Sequence, residues 1–254
     1  MSTPLPTQQP NLVHPKERIY FVLAIIVSIV TYVLMFASIF GIAIAVIILM
    51  IGFVAHGLFI GTIRSNAIRV SEKQFPEIDA LTKELTQAIG LKKVPAVYIL
   101  ESGGFLNAFA TRFLRKDFVI LFSEVVELAY EEGKDALAFV IAHELAHLKC
   151  RHILWQKLLW GAWIIPYLGA AYSRACELTC DRYGAYYRKE GALHGLLALA
   201  AGKRLYRQVN HEEILAQAER ERGFWVFYAT IFSTHPPLIH RVKLLADFIK
   251  TLPK

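Results

Sequence analysis

Two histidines and a glutamate in Ala142-His143-Glu144-Leu145-Ala146-His147 have the types and spacing for metal-assisted hydrolysis. On a helix, positions four apart share a face one turn apart, so His143 and His147 can grip one ion. Glu144 projects toward the same side, placed to take a proton from metal-bound water. The flanking run Asp135-Ala136-Leu137-Ala138-Phe139-Val140-Ile141 is too apolar for a solvated surface helix. Buried there, a His-Glu-His set needs a polar partner, and a metal ion supplies one.

A second pair completes the pattern. Glu177 and Asp181 are also four apart, so they share a helix face. A carboxylate is the usual third ligand where such a motif supplies only two, which makes Glu177 the expected ligand. Asp181 can accept the outer N–H of a ligand histidine and fix its tautomer. Cys176 and Cys180 are read as small buried side chains, and His152, five residues past His147, as a structural or polar-face residue.

The elements that must carry these residues follow from composition. The 254 residues are 55% apolar with a net charge of +7, and residues 19–63 contain no Asp, Glu, Lys or Arg. As one helix that stretch would be about 67 Å long, roughly twice a hydrocarbon core, so two spans are expected, over 19–37 and 41–60, with a turn at 38–41. Residues 1–18, rich in Pro, Gln and Thr, read as a disordered tail, and 64–254 as the enzymatic domain. Lys16 and Arg18 precede the first span and Arg64, Arg69 and Lys73 follow the second, so both ends and the domain are expected on the cytoplasmic side. The tail and spans carry +1, leaving +6 on the domain, which suits an anionic leaflet. Those cations are dispersed and no nucleic-acid motif is present, so nucleic acid is not an expected partner. Three cysteines cannot all pair within the chain, which fits a reducing compartment.

Within the domain, a helix opens at Pro76 and ends at Gly90. Strands are expected at 95–100, 105–111 and 118–122, forming a small antiparallel sheet, with a turn at 102–104. A helical region begins at Val125, and the motif helix is expected to run through His152. The uncharged run 158–172 has to turn back as a hairpin, because a single crossing would put His147 and Glu177 on opposite sides of a membrane. Its tryptophans at 155, 160 and 163 favour an interface.

Taken together, these residues resemble the HtpX and CAAX-prenyl-protease family of membrane zinc peptidases, within the gluzincins. His143-Glu144-Leu145-Ala146-His147 with Arg151-His152 is similar to its first motif, and Glu177 with Asp181-Arg182-Tyr183-Gly184-Ala185 to its second. Asn107-Ala108-Phe109-Ala110-Thr111 resembles its N-A-F-A strand, and Ser233-Thr234-His235-Pro236-Pro237 with Arg241 its S-x-H-P segment. Cys180 and Arg112 depart from the family's usual Ala and Gly. The second membrane hairpin of HtpX and the many spans of the prenyl proteases are missing, so HtpX-like is the closer description.

The resemblance implies a mostly α fold with a small β-sheet, an α+β gluzincin-type domain behind an N-terminal transmembrane hairpin in a bacterial or archaeal plasma membrane. It implies one Zn2+ per chain on His143, His147 and Glu177, with Glu144 as general base. Substrate polypeptide would pair with Asn107, Ala108 and Phe109, and His235 or Arg241 would stabilise the oxyanion. The implied activity is endopeptidase cleavage of unfolded or damaged membrane proteins. The rival reading is a silent membrane scaffold, for which an intact Glu144 would have no chemical use. An intramembrane site-2-type protease is disfavoured by the charged residues at 131–135, just before the motif.

Overall fold

The structure is a computed structural model and describes residues 10–253 except 102, 105, 133 and 203. Helix α1 (Pro15–Phe36) and helix α2 (Ile39–Asn66) are long and apolar enough to cross a membrane. The break falls at Ala37 and Ser38, where the Ser38 hydroxyl caps α2 by accepting from Gly41 N at 3.0 Å. Most of their apolar side chains are exposed, an arrangement that lipid satisfies and water does not.

The tail expected over 1–18 is corrected from residue 10 onward; residues 1–9 lie outside the described residues. Leu12 is buried, His14 caps α1, and Glu17 sits in the first turn of that helix against the domain. Among the described residues of this stretch, the His14 N–H donates to Thr179 Oγ1 at 2.9 Å.

The sheet runs β1 (Ile68–Arg69), β2 (Ala96–Leu100), β3 (Ala108–Phe113) and β4 (Lys116–Phe122) in chain order, and spatially β1-β2-β4-β3. It is mixed, which corrects the antiparallel expectation: β2 and β4 pair in parallel, and only β1–β2 and β3–β4 are antiparallel. The reason lies in Phe118-Val119-Ile120-Leu121. This run has no polar alternation, so it takes a central place with both faces covered. Val119 and Leu121 face the main core, while Ile120 and Phe118 pack with Ile60 and Ile63 of α2. A tight turn with Leu114 and Arg115 both at positive φ folds β3 back onto the outer side of β4. Strand β3 is therefore an edge strand, starting later than expected; Phe105 of the expected strand and Ser102 of the expected turn lie outside the described residues.

Helix α3 (Pro76–Ile89) is capped by Gly90 in the left-handed region, as the sequence indicates. Helix α4 (Ser123–Glu132) leads into α5 (Lys134–Lys149), which carries the HELAH motif and is buried along most of its length. The motif helix stops there. Arg151 adopts φ 58° and starts the separate helix α6 (His152–Leu158), so the expectation of one continuous helix through His152 is corrected. A 3-10 turn (Trp160–Ile164) and helix α7 (Leu168–Tyr187) follow, so the 158–172 segment does turn back.

Helices α7 and α8 (Lys189–Ala201) clamp α5. The Phe139 ring fills slots at Gly184 and Gly195, where a Cβ would lie 2.6 and 2.7 Å from it. Helices α9 (His211–Arg220), α10 (Phe224–Phe232) and α11 (Leu238–Thr251) close the chain, α11 packing on α7 and α8. At Gly191 an added Cβ would sit 1.9 Å from the Asp135 carbonyl oxygen, backbone that cannot step aside. Gly191→Ala is therefore expected to lower stability by about 3 kcal/mol in thermal unfolding. Gly61→Ala, with nothing within 4 Å of the new carbon, should leave it unchanged.

Candidate metal centre

The α5 and α7 faces meet at a cleft of about 530 Å³ lined by His143, Glu144, His147, Glu177, His235 and Arg241, with Asn107 to Thr111 of the β3 edge along one side. Both histidines turn Nε2 to the same carboxylate: His143 Nε2 is 3.5 Å from Glu177 Oε2, and His147 Nε2 is 3.3 Å from Glu177 Oε1. A tetrahedral ion with bonds of about 2.0–2.1 Å needs ligand atoms about 3.3–3.4 Å apart. The two histidine–carboxylate separations match that spacing.

What lies behind each ligand fixes its orientation. His143 Nδ1 sits 3.0 Å from Asp181 Oδ1 on a bent approach. His147 Nδ1 sits 3.2 Å from His152 Nδ1, and His152 Nε2 is 3.2 Å from Glu17 Oε1. A carboxylate can only accept, so the His152 proton belongs on Nε2. Its Nδ1 is then the acceptor, and His147 donates from Nδ1. With an ion bound, these partners would hold both motif histidines in the tautomer whose Nε2 lone pair faces the ion.

Burial is balanced by charge. Glu177 is 6% exposed and Asp181 2%, and Arg241, itself 6% exposed, lies against both. Arg241 donates to Asp181 through Nε at 2.8 Å and Nη2 at 2.7 Å, with Nη1 3.6 Å from Glu177 Oε2. Burial alone would raise the Glu177 carboxyl, but the two histidines and Arg241 hold it well below the usual range. Burial would likewise lower His143, yet Asp181 and Glu177 push it up to about 10. The pair of carboxylates favours positive charge in this space, which a metal ion could supply.

Cys180 Sγ offers a competing set with His143 and His147. The thiol does not line the cleft, lies 3.5 Å from His152 Nδ1 and is fully buried, and burial pushes its pKa well above the usual value. A thiolate there would be costly, so Glu177 is the better donor.

The sequence-expected residues otherwise divide. Asn107, Ala108 and Phe109 line the cleft from β3. His235 is 64% exposed at its mouth, with Nε2 3.5 Å from Glu177 Oε1 and Nδ1 3.0 Å from the Thr234 hydroxyl. Arg174 holds that loop, donating to the Ser233 carbonyl at 2.6 Å and the Ile231 carbonyl at 3.0 Å. Arg241 lines the cleft with its guanidinium engaged by the two carboxylates. Glu17, Arg174 and Thr179, which also bonds Glu17, were not expected at the site. They lie far along the chain from the residues they touch, and no local spacing marks them.

A cleft with this donor set, behind two apolar helices, defines a membrane-associated metallopeptidase. The chain belongs to peptidase family M48, whose model matches residues 72–163 and 156–249. It is HtpX-like: it is 28% identical to a protease HtpX homolog of Thermococcus kodakarensis and 27% to that of Pyrococcus abyssi, each covering 71% of this chain and 76% of the relative. It is also 28% identical to the plastoglobule-localized metallopeptidase 48, chloroplastic, of Arabidopsis thaliana over 60% of this chain, and spans 48% of that protein's length.

Arg241→Met leaves two buried carboxylates without their cation. In chelator-treated protein we expect a loss of about 3–5 kcal/mol by denaturant unfolding; an unchanged midpoint would show that Arg241 does not balance them.

Proposed function

We propose that the chain is a zinc-dependent endopeptidase anchored by two spans within residues 19–63, with its domain, 64–254, on the cytoplasmic face. The observation that carries this is the convergence of His143 Nε2, His147 Nε2 and the Glu177 carboxylate in one cleft beside Glu144. The basic residues at both ends of the apolar hairpin support the orientation. One ion per chain would be held by His143, His147 and Glu177.

When bound, zinc supplies Lewis acidity, polarising the scissile carbonyl and making water acidic enough to be a nucleophile near neutral pH. Glu144 accepts the proton of the attacking water and returns it to the leaving amine, so no covalent intermediate with the protein is needed. The free edge of β3 pairs with an extended substrate main chain, which places the scissile bond and tolerates varied side chains. His235, at the cleft mouth, donates to the developing oxyanion. Arg241 serves by holding Asp181 and Glu177 in place, and Asp181 by orienting His143. Unfolded or damaged membrane polypeptides are the substrate class.

Purified wild type should cleave an unfolded protein and lose that activity with chelator. Glu144→Ala should retain metal and lose about 10²–10⁴-fold in rate; equal cleavage by both would remove the mechanism. Glu177→Ala should bind less than stoichiometric zinc by elemental analysis, and full occupancy would point to another third ligand.

A further inference from the structure

Helix α1 serves as a depth gauge. Its 22 residues are about 33 Å long, close to the roughly 30 Å of a hydrocarbon core, so a crossing uses almost all of it. The domain does not stop at its start. Glu17 meets His152, Phe21 meets Trp155 with ring centroids 4.9 Å apart, and Ser28, Thr31 and Tyr32 meet Gly161. Tyr32 lies about 25 Å along the axis from Pro15. If α1 crosses a bilayer, the 3-10 turn sits inside it.

The chemistry of that contact agrees. Tyr32 Oη donates to the Leu158 carbonyl at 2.6 Å and accepts from Gly161 N at 3.3 Å, while Thr31 Oγ1 donates to the Gly161 carbonyl at 3.3 Å. Non-helical backbone is tolerated at membrane depth only where protein satisfies its polar groups, as the span does here. Gly161 permits the approach, since a Cβ would lie 3.0 Å from Ser28 Cα. On its outer side the same segment exposes Trp163, Ile164 and Ile165.

Helix α7 runs back up alongside α1, with Tyr172 beside Phe21 and Thr179 beside His14. Its first residues therefore lie as deep as the 3-10 turn. There Tyr167 packs edge-on against Phe232 at 4.9 Å, which ties α10 to this level. Helix α10 buries no residue, and Trp225 is 76% exposed beside Phe224 and Phe227. No Asp, Glu, Lys or Arg occurs between Arg222 and Arg241. Such a patch is a liability in water and costs nothing in hydrocarbon.

We propose that the 3-10 turn and helix α10 form a wedge immersed in the acyl-chain region of the bilayer that α1 crosses. Trp163 belongs both to this wedge and to the cleft wall, so one end of the cleft opens on lipid. Resting on the peptidase reading above, this makes the favoured substrate a segment that enters from the bilayer. The immersion itself depends only on α1 crossing.

The test reconstitutes the full chain in phosphatidylcholine nanodiscs with acyl-brominated lipid and compares tryptophan emission of wild type and Trp225→Phe. The expected result is a larger loss of emission in wild type than in the variant, with the Trp225 contribution shielded from aqueous acrylamide. In the Trp225→Phe background, Leu205→Trp adds a probe at an exposed position away from the wedge, expected to respond to acrylamide and not to bromolipid. A Trp225 contribution quenched by acrylamide alone overturns the proposal, as does one shielded from both quenchers in a dimer. Emission and cleavage are separate readouts: a quenched Trp225 in an inactive protein would leave the wedge standing and remove the peptidase reading.

Discussion

The site depends on holding two carboxylates, Glu177 and Asp181, out of water on one face of α7. Each would be expensive alone. Their charges are met from two directions: Arg241 of α11, and His143 and His147 of α5. Much of the fold follows from this requirement. Helices α5, α7, α8 and α11 must pack closely enough to exclude water around the charges, which explains glycines against Phe139 and against the start of α5.

The two motif histidines are oriented by different partners. His143 leans on Asp181, within the same electrostatic cluster. His147 leans on His152, which in turn bonds Glu17 of α1. The bend at Arg151 brings this about: an unbroken helix would point His152 about 140° away from His147. The first apolar helix and the candidate metal site therefore share a buried chain of hydrogen bonds. A chain lacking α1 would have to find another partner for His152.

Legibility in the sequence followed distance along the chain. His143, Glu144 and His147, and then Glu177 with Asp181, were readable because helical spacing alone puts each set on one face. The apolar hairpin was readable from the absence of charge over 45 residues, and its demand that both ligand helices share a membrane side predicted the turn at 158–172. Sheet order was not readable, since the parallel β2–β4 pairing is non-local. Arg241 was visible as a motif residue but not as the partner of Asp181, which lies sixty residues away. Glu17 gave no signal at all, sitting in a stretch whose composition suggested disorder.

We propose that two imidazoles and one carboxylate hold the ion. X-ray absorption at the zinc edge of the metal-loaded protein tests it most directly, because sulfur and light donors scatter differently. Nitrogen and oxygen donors only, at about 2.0–2.1 Å, are expected. A sulfur shell near about 2.3 Å would place Cys180 in the site and contradict it.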